Sequence, residues 1–150
     1  MRGEVMLARP GDDPHQELLF QLAHRFREAI LRSNPRTSRL ATLREFPAGA
    51  CGDASLLLAK YLQVNGCGRS HYMAGKRKGR THAWLQLADF TIDITADQFE
   101  DQDAGVIVSA DSLWHSSFEG KIQSVADFCL YDKRSAFELA TAYEAITGCL

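Results

Sequence analysis

No run of the chain approaches the ~20 consecutive apolar residues that a transmembrane helix needs. The opening segment Met1–Pro10 also lacks the apolar core of a signal peptide. A cytoplasmic protein with no membrane partner is therefore expected. No C-x-x-C pair occurs among Cys51, Cys67, Cys129 and Cys149, so neither a zinc knuckle nor a thioredoxin-type motif is supported. Without secretory features, free thiols are expected rather than two disulfides. There is no excess of positive charge either: a net charge of −2 argues against a nucleic-acid partner. His71 and the pair Trp114-His115 are not part of any spaced ligand set, so no metal and no other cofactor is expected. Internal repeats and low-complexity tracts are absent as well.

What remains is an ordinary globular composition over 150 residues, read as a single domain, 1–150, long enough to bury a real core. Asp13-Pro14-His15-Gln16 announces a helix with an N-cap, a proline at the first helical position and a glutamine three residues on. Leu18, Leu22, Phe26 and Ile30 recur on one face of it, and the pattern ends near Ser33-Asn34-Pro35. After an irregular stretch from 35 to 50, a second helix is expected from Cys51 to Val64. Its buried face is Ala54, Leu57, Leu58, Tyr61 and Leu62, and Asn65-Gly66 stops it.

The hydrophobic period then changes from 3.6 to 2. Strands are expected at Arg69–Ala74, Thr81–Leu87 and Phe90–Thr95, separated by a charged turn, Gly75–Arg80, and a tight turn, Ala88-Asp89. Gly105–Ser109 and Ile122–Ala126 are further strand candidates. Ser135-x-x-Glu138 reads as a capping box opening a last helix with Leu139, Ala142, Tyr143 and Ile146 on its apolar face. Helices, then an antiparallel meander, then a closing helix indicate an α+β fold.

The cysteines differ in context. Cys129 lies among Phe128, Leu130 and Tyr131 and is expected to be buried; Cys67 is in a glycine turn and Cys149 is next to the last residue. Only Cys51 has surroundings suited to chemistry. It opens a helix, where the dipole and free backbone N–H groups favour the thiolate. Its neighbours Gly49, Ala50 and Gly52 are small enough to admit a substrate carbonyl.

A thiol nucleophile needs a base, and His82 is the candidate. Alternation along Thr81–Leu87 puts His82, Trp84 and Gln86 on one face. With a two-residue hairpin at Ala88-Asp89, Leu87 pairs with Phe90, and His82 becomes a diagonal neighbour of Asp93 on that face. A carboxylate on one ring nitrogen would leave the other for the thiol. Asp97 competes for the third role but lies beyond the expected strand end, and Asp53 is a first-turn acid suited to the helix dipole.

The run Gly49-Ala50-Cys51-Gly52-Asp53-Ala54, the tripeptide His82-Ala83-Trp84 and the run Ile92-Asp93-Ile94-Thr95 resemble the three motifs of the transglutaminase-like superfamily. The match covers roughly a third of the chain, Phe46 to Thr95. The resemblance implies a papain-like core, with the nucleophile at a helix start packed on an antiparallel sheet, and a Cys51, His82, Asp93 triad. It also implies a peptide or protein amide substrate, cleaved by a cysteine peptidase or amidase through a thioester. A glutamine deamidase, a transglutaminase or an inactive binding module are the alternatives. Where papain-like enzymes often carry a glutamine before the cysteine as an oxyanion donor, this chain offers Glu45, so only the Cys51 backbone N–H is assigned that role. Gly49, Gly52 and Trp84 are the candidate substrate-contacting residues. The basic group Lys76, Arg77, Lys78 and Arg80 precedes His82 and would suit either a solvated hairpin tip or an acidic partner.

Overall fold

The computed structural model describes residues 13–150; the Met1–Pro10 segment considered above lies outside them. Helix α1 spans Pro14–Arg32. The Asp13 carboxylate accepts from the backbone N–H of His15 at 2.9 Å and of Gln16 at 3.4 Å, which caps the first turn. Gln16 does not close a capping box. Its amide instead donates to the Val108 carbonyl at 2.8 Å and ties the helix start to the sheet. The buried face is Leu19, Leu22, Ala23, Phe26, Ala29 and Ile30, whereas Leu18, expected inside, is 46% exposed. Short 3-10 turns at Pro35–Thr37 and Ala41–Leu43 occupy the irregular stretch.

Helix α2 spans Cys51–Val64 and is buried on more than the one face expected, with Ser55, Leu56 and Ala59 also inside. It lies against α1, the sheet and the last helix at once, which is the environment of a central helix. The sheet has five strands, β1 (His71–Arg77), β2 (Arg80–Leu87), β3 (Phe90–Asp93), β4 (Ile107–Ser109) and β5 (Lys121–Val125). All pairings are antiparallel, in the order β4-β3-β2-β1-β5. The meander thus runs from β1 to β4, and the chain then returns to place β5 on the far edge beside β1.

Three expected boundaries are corrected. Gly75–Arg80 is not a turn: the ladder continues to Arg77↔Arg80, and only Lys78 and Gly79 turn, both with positive φ. Strand β3 stops at Asp93 rather than Thr95, because the Asp93 carboxylate takes the Thr95 N–H at 2.8 Å and bends the chain out of the ladder. The final helix, α4 (Lys133–Thr147), begins ahead of the expected capping box. Asp132 is its N-cap and accepts from the Ser135 N–H.

Leu85, Leu87, Phe90 and Ile92 pack with α1 and α2 in the main core. The opposite side of β2 carries Trp84, covered by Phe99 and Phe118 with Met73 and Trp114 against them. Phe99 of that cover follows the 3-10 turn Ala96–Gln98, and Phe118 and Trp114 come from segment 113–120, which includes the short helix α3 (Leu113–Ser116). It crosses β1 at Gly75, where an added Cβ would collide with the Phe118 carbonyl. The Lys76 N–H donates to the same carbonyl at 2.8 Å, so the crossing is both close and hydrogen-bonded. Among the described residues, no helix is long and apolar enough to cross a membrane.

Candidate active site

Gly49, at φ +71°, turns the chain into α2, and its N–H donates to Gln98 Oε1 at 3.4 Å. Cys51 is the first residue of the helix, and no side chain caps that end. The first intrahelical bond runs from the Ala54 N–H to the Ala50 carbonyl at 2.8 Å. The N–H groups of the opening turn therefore point outward beside the thiol.

The β2–β3 ladder ends at Leu85↔Ile92, so β2 from Arg80 to Trp84 has β1 on one side and no strand on the other. Cys51 comes against this open stretch. Its thiol lies near enough to the His82 ring and the Ala83 backbone for both to favour its ionised form.

The hairpin register is Leu87↔Phe90, Gln86↔Thr91 and Leu85↔Ile92, as the two-residue turn requires. It places His82 and Asp93 within reach: His82 Nε2 is 2.7 Å from Asp93 Oδ2. Both side chains are almost wholly buried, at 0% and 1% exposed. The other ring nitrogen, Nδ1, is buried and has no hydrogen-bond partner among the described residues. The Cys51 thiol beside the ring is the group able to give it a proton.

Asp93 has a second imidazole that the sequence did not reveal. His115 Nε2, from α3, is also 2.7 Å from Asp93 Oδ2. The Ser112 hydroxyl accepts from the His115 backbone N–H at 3.2 Å and sits 2.5 Å from His115 Nδ1. This network assigns the Ser112 proton to Nδ1 and leaves Nε2–H to donate to Asp93. With the Thr95 N–H on Oδ1, the carboxylate is held from three directions.

The charges follow from these contacts. Burial would raise the Asp93 carboxyl, but the His82 charge and the hydrogen bonds from His115 and His82 hold it well below the usual carboxylate range. Burial would lower the His82 imidazole, yet the Asp93 charge and hydrogen bond, followed by Cys51, raise it to about 9. Burial would push the Cys51 thiol up, and the His82 hydrogen bond and charge outweigh this to bring it below its ordinary value. The arrangement favours a thiolate–imidazolium pair anchored on a buried carboxylate.

His82, Asp93 and His115 are also the described side chains that could together hold a metal, their ligand atoms lying within 4.8 Å of one another. Both N···O distances are 2.7 Å, the spacing of hydrogen bonds. A tetrahedral zinc with bonds of about 2.0–2.2 Å spreads its ligand atoms to roughly 3.3 Å. Each of the three side chains is 3% exposed or less, which leaves no open face for a metal-bound water.

No family model matches the chain, and no curated protein or solved structure does either. The chemistry of the site therefore rests on its own geometry.

The remaining sequence candidates fall as follows. Trp84 is 3% exposed and packs on His115 at 4.9 Å and on His82 at 5.6 Å. It forms part of the aromatic wall behind the imidazole, together with Phe99, Trp114 and Phe118. Gly52 lies against the Tyr72 hydroxyl. Asp97 does not take the third role: it pairs bidentately with Arg27 of α1, at 2.8 and 3.0 Å. Arg77 binds Asp101 at 3.0 Å and lies over the Phe118 ring at 4.4 Å, and Arg80 lies over Phe99 at 4.3 Å. Lys76 and Lys78 stay exposed. Cys129, expected inside, is exposed on a 3-10 turn whose cap, Asp127, takes the Cys129 N–H at 2.9 Å. Cys67 and Cys149 are part-buried free thiols, and His71 is exposed at the start of β1, opposite Gln86.

Proposed function

We propose that the chain is a thiol-dependent acyl-transfer enzyme that cleaves an amide or peptide bond through a thioester on Cys51, in the manner of the transglutaminase-like, papain-like enzymes its motifs resemble. The observation that carries this reading is one arrangement. A cysteine at an uncapped helix start lies against an imidazole whose other nitrogen is bonded to a buried carboxylate.

The steps use those groups in order. The Cys51 thiolate, its proton already on His82 Nδ1, bonds to the carbonyl carbon of the amide as the C=O electron pair moves onto oxygen. The tetrahedral oxyanion collapses, the C–N bond breaks, and the amine leaves with the proton from His82. Water then attacks the thioester and gives its proton to His82; the C–S bond breaks, releasing the acid and restoring the thiol. Asp93 keeps Nε2–H directed to itself throughout, which reserves Nδ1 for the thiol and stabilises the charged ring. A side-chain carboxamide as donor makes the same chemistry a deamidation, and an amine in place of water makes it a transamidation.

The test is the pH dependence of iodoacetamide alkylation, resolved cysteine by cysteine, in the wild type and in His82→Ala. Cys51 should be labelled well below pH 8 in the wild type and lose that reactivity without His82. A Cys51 that titrates like a free thiol of pKa about 8.5, or that stays inert, ends the catalytic reading and leaves a binding module of the same fold.

A further inference from the structure

The mechanism just proposed puts negative charge on a carbonyl oxygen, and the sequence offers no glutamine ahead of Cys51 to receive it. Glu45, in that region, is an exposed carboxylate that would repel an oxyanion. Another strand supplies a better group. Tyr72 of β1 pairs with Leu85 of β2, so it shares the helix-facing side of the sheet. Its ring packs part-buried against the main core, and its hydroxyl reaches the first turn of α2. A Cβ placed on Gly52 would lie 2.8 Å from Tyr72 Oη. Glycine at 52 therefore keeps that space open, one residue after the nucleophile.

The hydroxyl is also uncommitted: Tyr72 makes no side-chain hydrogen bond with another described residue. Tyrosine hydroxyls that serve only packing usually find a partner or point to bulk solvent. This one lies close enough to Cys51 for the charge of the sulfur to act on it. Burial, then the charges of Cys51, Tyr131 and Asp53, push its ionisation up to about 12, so it stays a proton donor at neutral and moderately alkaline pH.

We propose, on the basis of the acyl-transfer reading, that the Tyr72 hydroxyl is the side-chain donor to the oxyanion formed on Cys51, acting beside the Cys51 backbone N–H. It would be a catalytic residue contributed by the strand next to the one that carries His82. Gly52 is then required as the residue that lets the hydroxyl approach.

Two reagents with different transition states separate this role from packing. Iodoacetamide alkylates sulfur by direct displacement at a saturated carbon and forms no oxyanion. p-Nitrophenyl acetate acetylates it through a tetrahedral oxyanion and releases p-nitrophenol. The full chain and its Tyr72→Phe variant would be treated with each, following modification of Cys51 by peptide mass mapping and checking the fold by thermal unfolding.

The expected result is a roughly 100-fold slower acetylation in Tyr72→Phe, with the rate and pH dependence of alkylation unchanged. Gly52→Ala, which keeps the hydroxyl but crowds it, should slow acetylation in the same selective way. Equal acetylation rates in wild type and Tyr72→Phe overturn the proposal and make Tyr72 a packing residue. A parallel fall in both reactions overturns it too, because Tyr72 would then act on the thiol rather than the oxyanion. A wild-type Cys51 that reacts with both reagents as an ordinary thiol removes the acyl-transfer reading itself, and this role falls with it.

Discussion

Replacing Asp93 with asparagine removes one charge from the centre of the site while keeping its shape. In the folded protein His82 titrates at about 9 against an ordinary 6.5, and after the opposing effect of burial the Asp93 charge is the leading cause. At 1.36 kcal/mol per tenfold change in proton affinity, this difference corresponds to roughly 3 kcal/mol of linked stability. The folded state binds the His82 proton more tightly than the unfolded chain does. The contribution is therefore complete below about pH 6.5 and is lost as pH rises through about 9. Cys51 opposes this trend, since a lowered thiol gains stability as pH rises, so the measurement belongs in a Cys51→Ala background. Urea unfolding at pH 6 and pH 9.5 should show a loss of somewhat under 3 kcal/mol for the chain that keeps Asp93. The Asp93→Asn variant should show much less. The two imidazole N–H groups share Asp93 Oδ2 and the Thr95 N–H takes Oδ1, so an asparagine NH2 must face one of these donors, and this variant should be the less stable chain at pH 6 as well. If the two chains lose the same stability between pH 6 and pH 9.5, the Asp93 charge does not hold the His82 proton, and the electrostatic account of the site is wrong.

His115→Phe keeps an aromatic ring against Trp84 but removes the second donor to Asp93 Oδ2. It should cost about 1–3 kcal/mol in chemical denaturation while Cys51 alkylation keeps its low-pH onset, because the His82–Asp93 bond remains. Gly75→Ala would drive a Cβ into the Phe118 carbonyl. A loss of about 1–3 kcal/mol is expected, with a shift in the His115 ring resonances by NMR as segment 113–120 is pushed off the sheet; an unshifted His115 would show that the crossing at Gly75 does not position it.

The contacts legible from the sequence are those set by local rules. A helix start is a matter of turn chemistry and nearby small residues, and α2 begins at Cys51 and ends at Val64 as its pattern indicates. A two-residue hairpin turn specifies register, because any slip would exchange the faces of β2. That turn puts His82 and Asp93, eleven residues apart, on one face within reach of each other. Periodicity likewise separates the 3.6-residue helices from the strands. It does not distinguish Leu18 from Leu19, and the ends of β1 and β3 shift where tight turns or side-chain hydrogen bonds intervene.

Only the tertiary structure brings His115 to Asp93 and Tyr72 to the start of α2. His115 lies 22 residues beyond Asp93 and reaches it because segment 113–120 closes over the sheet where Gly75 admits it. Tyr72 meets the start of α2 because β1 is inserted between β2 and β5, a strand order no local pattern specifies. Arg27 claims Asp97 across 70 residues, and Cys129 is turned outward by the Asp127 cap rather than drawn in by its apolar neighbours. The physical division is one of range. Backbone sterics, hydrogen-bonding period and turn geometry act over a few residues and are written in the order of the side chains. Which distant surfaces pack together depends on shape and volume summed over the whole chain, and that sum exists only once the chain is folded.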